Sequence, residues 1–290
     1  MIHQPVLVKE VIEIFNPQAN QNYIDATFGF GGHSLEILKK TSPEGKILAI
    51  EWDPKVIKLA QKYIMKKFPQ YEKRIIFKNK NYREIKKIVK EEKFYNFVGI
   101  LFDLGVSTYH LKKSKRGFSF QGSEPLDMRF NPKIKVKAED ILNTFDQKTL
   151  EKVFKMFEVR KADKIAKGIV EARKIKQIKK TDDLVNILSK INCDKKTLRL
   201  VFQALRLLIN DELENIYLGL KDAIEVAPTA SKIIVITYQG LENKIVKKII
   251  KEKKKEVKII AKIRPTRKEI QKNPKAHSAQ LIALQKQNAK

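Results

Sequence analysis

From Asp25 to Ser34 the chain reads Asp-Ala-Thr-Phe-Gly-Phe-Gly-Gly-His-Ser, with glycines at 29, 31 and 32. Glycines let a backbone turn sharply and come close to a ligand where a Cβ would collide. Two kinds of cofactor use such a loop. A dinucleotide sets its pyrophosphate on the N-terminus of the following helix, whereas S-adenosylmethionine lays its amino-acid and ribose portions over the turn. A turn demanded by packing has the same composition, so the loop needs acidic partners to mean more. Glu51, twenty residues past Gly31, ends an apolar run, where its carboxylate can accept both ribose hydroxyls. Asp53, next to Pro54, suits a turn or a helix cap instead. Asn79, Asn81 and Tyr82 offer an edge and a ring to an adenine, and Asp103-Leu104-Gly105 closes a further apolar run with a carboxylate. Details separate the two cofactors. The dinucleotide pattern requires glycine where Ser34 stands, and Asp25 would repel a pyrophosphate but suits a cationic α-amino group. No side chain is identifiable as a hydride-transfer partner. The balance favours methyl transfer.

These residues must be held by regular elements. Val6, Leu7, Val11, Ile14 and Phe15 have helical spacing, with Pro17 as a stop. Strand-like runs follow at 22–26, 47–50, 74–77 and 97–102, alternating with helical segments at 33–40, 56–64 and 85–89. That alternation predicts right-handed βαβ units and a parallel sheet. After about residue 105 the pattern changes. An irregular stretch from Arg116 to Pro132 leads into helices built on Ala162–Val170, Thr181–Leu188 and Leu198–Leu213, Thr181 being expected to cap its helix through its hydroxyl. Strands return at 232–238 and 257–263. The expected fold is α/β, a Rossmann-like, doubly wound and mostly parallel sheet of the class I methyltransferase type, with an inserted helical domain. The expected boundaries are 1–105 with 220–290 for the cofactor domain, and 106–219 for a substrate-recognising insert.

Composition limits the partners. The 290 residues are 42% hydrophobic and 32% charged, with 61 Lys+Arg against 33 Asp+Glu and a net charge of +28. Such a field attracts polyanions, although an AT-rich genome enriches lysine as well. Between Lys244 and Lys275 stand 14 basic residues and only Glu252, Glu256 and Glu269; a solvated helix face and a phosphate-contacting surface are the two readings. The single Cys193 forms no intrachain disulfide, and the histidines at 3, 33, 110 and 277 lack metal-ligand spacing, so no metal is expected. No apolar run approaches the ~20 residues of a membrane span, and the opening Met1-Ile2-His3-Gln4-Pro5 lacks a signal-peptide pattern. A cytoplasmic protein is expected, monomeric or homodimeric.

With these residues in view, the chain resembles the MraW/RsmH family, methyltransferases that modify the N4 of a cytidine in small-subunit (16S) ribosomal RNA. The matching strings are His3-Gln4-Pro5-Val6-Leu7, Thr27 to Ser34, Asp103 to Ser107, Arg116-Gly117-Phe118-Ser119-Phe120, Pro125-Leu126-Asp127-Met128-Arg129, Phe202-Gln203-Ala204-Leu205-Arg206 with Asn210 and Glu212-Leu213, and Asn273-Pro274 with Ser278-Ala279. The resemblance implies S-adenosylmethionine as cofactor, with contacts at Gly31, Gly32, His33, Glu51, Tyr82, Asp103 and His110. It implies small-subunit ribosomal RNA as partner, within a 30S particle or a late assembly intermediate. The chain departs from the family at several positions. Glu51 stands for Asp, His110 for Gln, Phe157-Glu158-Val159-Arg160 for Gly-Glu-Glu-Arg, Tyr238-Gln239-Gly240-Leu241-Glu242-Asn243 for Phe-His-Ser-Leu-Glu-Asp, and His277 for a basic residue. These changes bear on substrate handling more than on cofactor binding.

Cytosine N4 is a poor nucleophile, so an acceptor for its proton would assist transfer. Asp103 is the catalytic candidate by position, with cofactor positioning as the other reading. Arg116, Phe118, Phe120, Arg129, Arg206 and Asn210 are candidate substrate contacts, combining guanidinium groups for phosphates with rings on which an unstacked base could lie. Loop packing, an Asp127–Arg129 pair and a polar helix face at 203, 206 and 210 are the structural readings of the same residues. A base inside folded RNA must also be exposed before reaction, by flipping or in an assembly intermediate. The alternative function is an RNA-binding or ribosome-assembly factor that kept the fold and lost turnover.

Overall fold

Short β-branched and apolar runs that end in a polar residue become strands here, and amphipathic runs between them become helices. The computed structural model describes residues 5–288, so His3 and Gln4 of the first matching string lie outside the described residues. The chain divides into two compact units, one reaching Gly105 and resuming at Leu213, the other spanning Val106–Glu212.

The first unit alternates α1 (Val8–Phe15), β1 (Tyr23–Asp25), α2 (Gly32–Lys40), β2 (Ile47–Ile50), α3 (Pro54–Lys67), β3 (Ile75–Lys78), α4 (Ile85–Glu91) and β4 (Gly99–Asp103). The second holds α5 (Thr108–Lys112), α6 (Ala138–Thr144), α7 (Gln147–Met156), α8 (Ala162–Ile175), α9 (Thr181–Lys190) and α10 (Lys195–Ile209). The chain re-enters the first unit along α11 (Glu212–Val226) and adds β5 (Lys232–Thr237), α12 (Gly240–Glu252), β6 (Val257–Ile263), α13 (Arg267–Lys272) and β7 (Gln280–Lys286).

Seven strands form one sheet in the order β3-β2-β1-β4-β5-β7-β6. The first five are parallel, while β7 runs antiparallel to both β5 and β6. Because strand side chains alternate between faces, each strand feeds two cores. Ile24, Leu48, Ile50 and Ile100 pack with α4, α11 and α12, whereas Tyr23, Ile47, Ala49 and Leu101 pack with α1, α2 and α3. Helices on both faces of a mostly parallel sheet make this an α/β, Rossmann-like fold. Chain order reverses between β1 and β4, which opens a crevice at the carboxyl edge of the sheet.

Three local outcomes differ from expectation. Leu7 adopts a left-handed conformation (φ 55°), so α1 starts at Val8 and not at Val6. The Leu7 amide is instead bound by a Glu269 carboxylate oxygen at 2.7 Å. The Thr181 hydroxyl does not cap α9: it donates to the Gly122 carbonyl (2.8 Å) and accepts from the Glu124 amide (3.1 Å), while Asp183 takes the Lys179 and Lys180 amides. The sequence pattern points to no strand after 263, whereas β7 forms from the run of Leu281 to Leu284 and fills the place between β5 and β6. Among the described residues no helix is long and apolar enough to cross a membrane.

Candidate functional site

In the first unit the expected cofactor residues gather where parallel strands end. Asp25 ends β1, Glu51 follows β2, and Asp103 ends β4, all at the same sheet edge. The loop after β1 is shaped from within. Gly31 has φ 76°, a conformation that favours glycine, and a Cβ there would also strike the Phe28 ring at 2.6 Å. A Cβ at Gly32 would lie 2.8 Å from the Pro5 ring, so this glycine admits the incoming N-terminal segment. Asp25 is buried, and its carboxylate accepts from the Ser34 hydroxyl (2.6 Å) and the Thr27 amide (3.2 Å). Burial pushes the Asp25 carboxyl above its usual range, against the pull of Ser34, His33 and the Thr27 amide. Asp25 therefore spends its carboxylate on tying the loop to α2, which explains a serine where a dinucleotide loop has glycine.

Glu51 faces the same loop. Its Oε2 accepts from the Gly29 amide at 3.0 Å and its Oε1 from the Asp53 amide at 2.8 Å. A carboxylate has about four acceptor positions, so both oxygens retain capacity for ribose hydroxyls. Desolvation of this half-buried group is the main cause that pushes its pKa up to about 7. Asp53 caps α3 through the Lys55 amide at 2.8 Å. Asn79 donates to the carbonyls of Glu51 (2.8 Å) and Trp52 (3.1 Å) and so braces the chain after β2, whereas Asn81 accepts from the Arg83 amide (3.0 Å) and caps the short turn at Tyr82–Glu84. The Tyr82 ring meets Phe102 edge-on at 5.7 Å, and Gly219 of α11 lies against it, where a Cβ would be 2.6 Å away.

At the end of β4, the Asp103 amide donates to the Thr27 hydroxyl oxygen at 2.6 Å, joining this strand end to the loop. The Asp103 Oδ1 accepts from the Tyr238 hydroxyl at 2.8 Å. Its Oδ2 lies 3.8 Å from His33 Nδ1. His33 is buried and directs Nε2 at the Val6 carbonyl, 2.9 Å away. In the sequence Tyr238 stands as a departure from the family string and as the last residue of the strand-like run 232–238. It directly follows β5, and the strand-end rule that singled out Asp103 would have found it too.

In the second unit the remaining candidates lie around the stretch 116–132. His110 is buried, with Nδ1 2.8 Å from the Ser107 hydroxyl and its ring 5.1 Å from Phe118 and 4.9 Å from Phe130. Phe118 stacks on Phe130 (5.2 Å, 19°), and the Arg116 guanidinium lies 5.5 Å over the Phe118 ring while donating to the Arg129 and Phe130 carbonyls. Phe120 meets Phe202 edge-on at 5.9 Å. Arg129 grips Asp127 with two bonds of 2.7 and 2.9 Å. Burial alone would raise the Asp127 carboxyl, but the Arg129 fork outweighs it and holds the pKa below the usual range. Arg206 pairs with Glu212 at 2.7 Å, and buried Asn210 binds the Met128 carbonyl and the Phe130 amide. Arg129 and Asn210 thus hold the irregular stretch in shape, while Arg206 ties the last turn of α10 to Glu212; Phe118, Phe120 and His110 form the aromatic cluster of the stretch and its surroundings.

Comparison with known proteins bears on the whole chain. The sequence profile described as the MraW methylase family matches residues 1–287. A protein of Dictyoglomus thermophilum named ribosomal RNA small subunit methyltransferase H is 38% identical, over 97% of this chain and 95% of its own length. A protein of the same name from Carboxydothermus hydrogenoformans is 36% identical over 98% and 97%. Among solved structures, an rRNA methylase from Streptococcus thermophilus aligns over 97% of this chain and 94% of its own, with a TM-score of 0.46 and 7% identity.

Proposed function

This chain belongs to the MraW methylase family, and from that premise we propose that it methylates the N4 amino group of one cytidine in small-subunit ribosomal RNA, in the cytoplasm, on a 30S particle or a late assembly intermediate. S-adenosylmethionine is the cofactor. The observation that carries the reading is the meeting of three groups at one sheet edge: the Gly31 turn, the Glu51 carboxylate and the Asp103 carboxylate.

When bound, S-adenosylmethionine supplies a methyl group activated by a sulfonium. Glu51 would accept hydrogen bonds from the ribose hydroxyls, and the turn at Gly31 would lie beside the amino-acid portion. Asp103 presents Oδ2 to the reacting amino group and takes up its proton as nitrogen acquires the methyl carbon. The protein's main contribution is alignment, which can supply roughly 7–11 kcal/mol of a barrier. In the second unit, half-buried Phe120 and Arg116 are the residues offered to RNA, Phe118 being buried between Phe130 and Arg116.

The test is methylation of small-subunit particles by the purified chain, followed by mass mapping of the RNA. One methyl on a single cytidine base is expected. Particles that bind the chain and S-adenosylmethionine without acquiring a methyl would instead identify the turnover-deficient assembly factor. Asp103→Asn should slow single-turnover transfer by about 10²–10⁴-fold; full transfer with normal cofactor affinity would remove the proton-accepting role.

A further inference from the structure

We propose that Tyr238 is the positioning residue of Asp103, deciding which of its carboxylate oxygens meets the reacting group. The proposal deepens the methyl-transfer reading and rests on it for the identity of that group. Asp103 has two chemically equivalent oxygens at the carboxyl edge, and an unrestrained carboxylate would present either. Here Oδ1 receives the Tyr238 hydroxyl at 2.8 Å, while Oδ2 is left towards His33 Nδ1 at 3.8 Å, beyond hydrogen-bond length.

The bond is held from both ends. Asp103 is fixed at its backbone by Thr27, and the Leu104 amide continues the ladder to the Ile236 carbonyl at 2.9 Å. Tyr238 is fixed by Glu242, whose Oε2 accepts the Tyr238 amide (2.7 Å) and the Gln239 amide (3.2 Å) at the start of α12. Gly105 completes the fit. A Cβ there would stand 2.7 Å from Tyr238 Cε2, so glycine leaves the space in which the ring lies across the strand end. The enclosed phenol stays protonated, since burial and the neighbouring Asp103 carboxylate push its pKa well above the usual value. It is therefore a permanent donor. Oδ1 already accepts one bond, so Oδ2 is the oxygen with its full acceptor capacity left for the amino proton, and the carboxylate plane cannot rotate without breaking the Tyr238 bond.

Two measurements test this on the full chain. The first needs no ligand: the Asp103 carboxyl ¹³C resonance should show a deuterium isotope shift in D2O, transmitted through the tyrosine hydroxyl, and Tyr238→Phe should move the resonance and abolish that shift. The second is single-turnover methylation with calorimetry of S-adenosylmethionine. Tyr238→Phe, and Gly105→Ala through displacement of the ring, should each slow transfer about ten-fold, the worth of one hydrogen bond to a charged group. Cofactor affinity should stay within about two-fold, and neither change should add to Asp103→Asn. An unmoved Asp103 resonance in Tyr238→Phe, or a rate loss that persists in full in the Asp103→Asn background, overturns the proposal. Absence of methyl transfer in the unaltered chain would instead remove the functional reading, with the ligand-free resonance still deciding the role of Tyr238.

Discussion

A carboxyl group titrating near neutrality at the ribose end of the site makes cofactor binding sensitive to pH. Glu51 has its pKa raised by burial to about 7. In the empty protein it therefore carries a proton in much of the population below that value, and a protonated carboxyl loses acceptor capacity. Affinity for S-adenosylmethionine should be full above about pH 7.5 and weaken by up to about ten-fold per unit below 7, and Glu51→Gln should bind weakly with a flat profile. Calorimetry from acid to mildly alkaline pH reads both. Stability runs in the opposite direction: the folded state holds this proton where the unfolded state has lost it, so the Glu51 contribution declines as pH rises from about 4.5 to 7. Ser34 acts locally as well. Ser34→Ala removes the hydroxyl donor from buried Asp25, which should cost about 1–3 kcal/mol and lower the melting temperature by roughly 5 °C with little change in the second unit's helices.

Strand ends were the legible elements. Ile47–Ile50 and Gly99–Asp103 are unbroken apolar runs closed by an acid, so their positions and their carboxyl ends can be read from residue type alone. The start of α3 is legible in Asp53 and Pro54, a cap and a first-turn proline, whereas the helix runs past the expected residue 64 to Lys67. What could not be read depends on long-range partners. Leu7 leaves the helical pattern because Glu269, far along the chain, binds its amide. Thr181 has a cap-forming side chain, yet Gly122 and Glu124 compete for it successfully. Asn210 looks like one member of a polar helix stripe, but as the residue that ends α10 it holds the Met128 carbonyl and the Phe130 amide. Asn210→Ala should therefore leave these loop groups unsatisfied at about 2 kcal/mol or more, seen as faster proteolysis between Arg116 and Pro132 while α10 keeps its circular dichroism.

At the scale of the whole molecule the charge has a definite address. Of the three acids in the basic run, Glu252 binds the Tyr217 hydroxyl (2.9 Å), Glu256 pairs with Lys253 (2.8 Å) and Lys286 (3.1 Å), and Glu269 holds the Leu7 amide. Lys254, Lys255, Lys258 and Lys262 are exposed and have no acidic partner among the described residues. Changing these four to Gln should reduce the slope of log affinity for RNA against log salt by about three, leaving cofactor affinity unchanged; an unaltered slope would assign them to a solvated face. Strand order has a consequence for biosynthesis. The last described strand, β7, takes an interior lane between two strands made earlier. A nascent chain emerging from its own ribosome can assemble residues 106–212 as a contiguous block, but it must keep β5 and β6 apart until β7 arrives. Translational stalling before Gln280 would leave a bare hydrogen-bonding margin on β5, a template for aggregation.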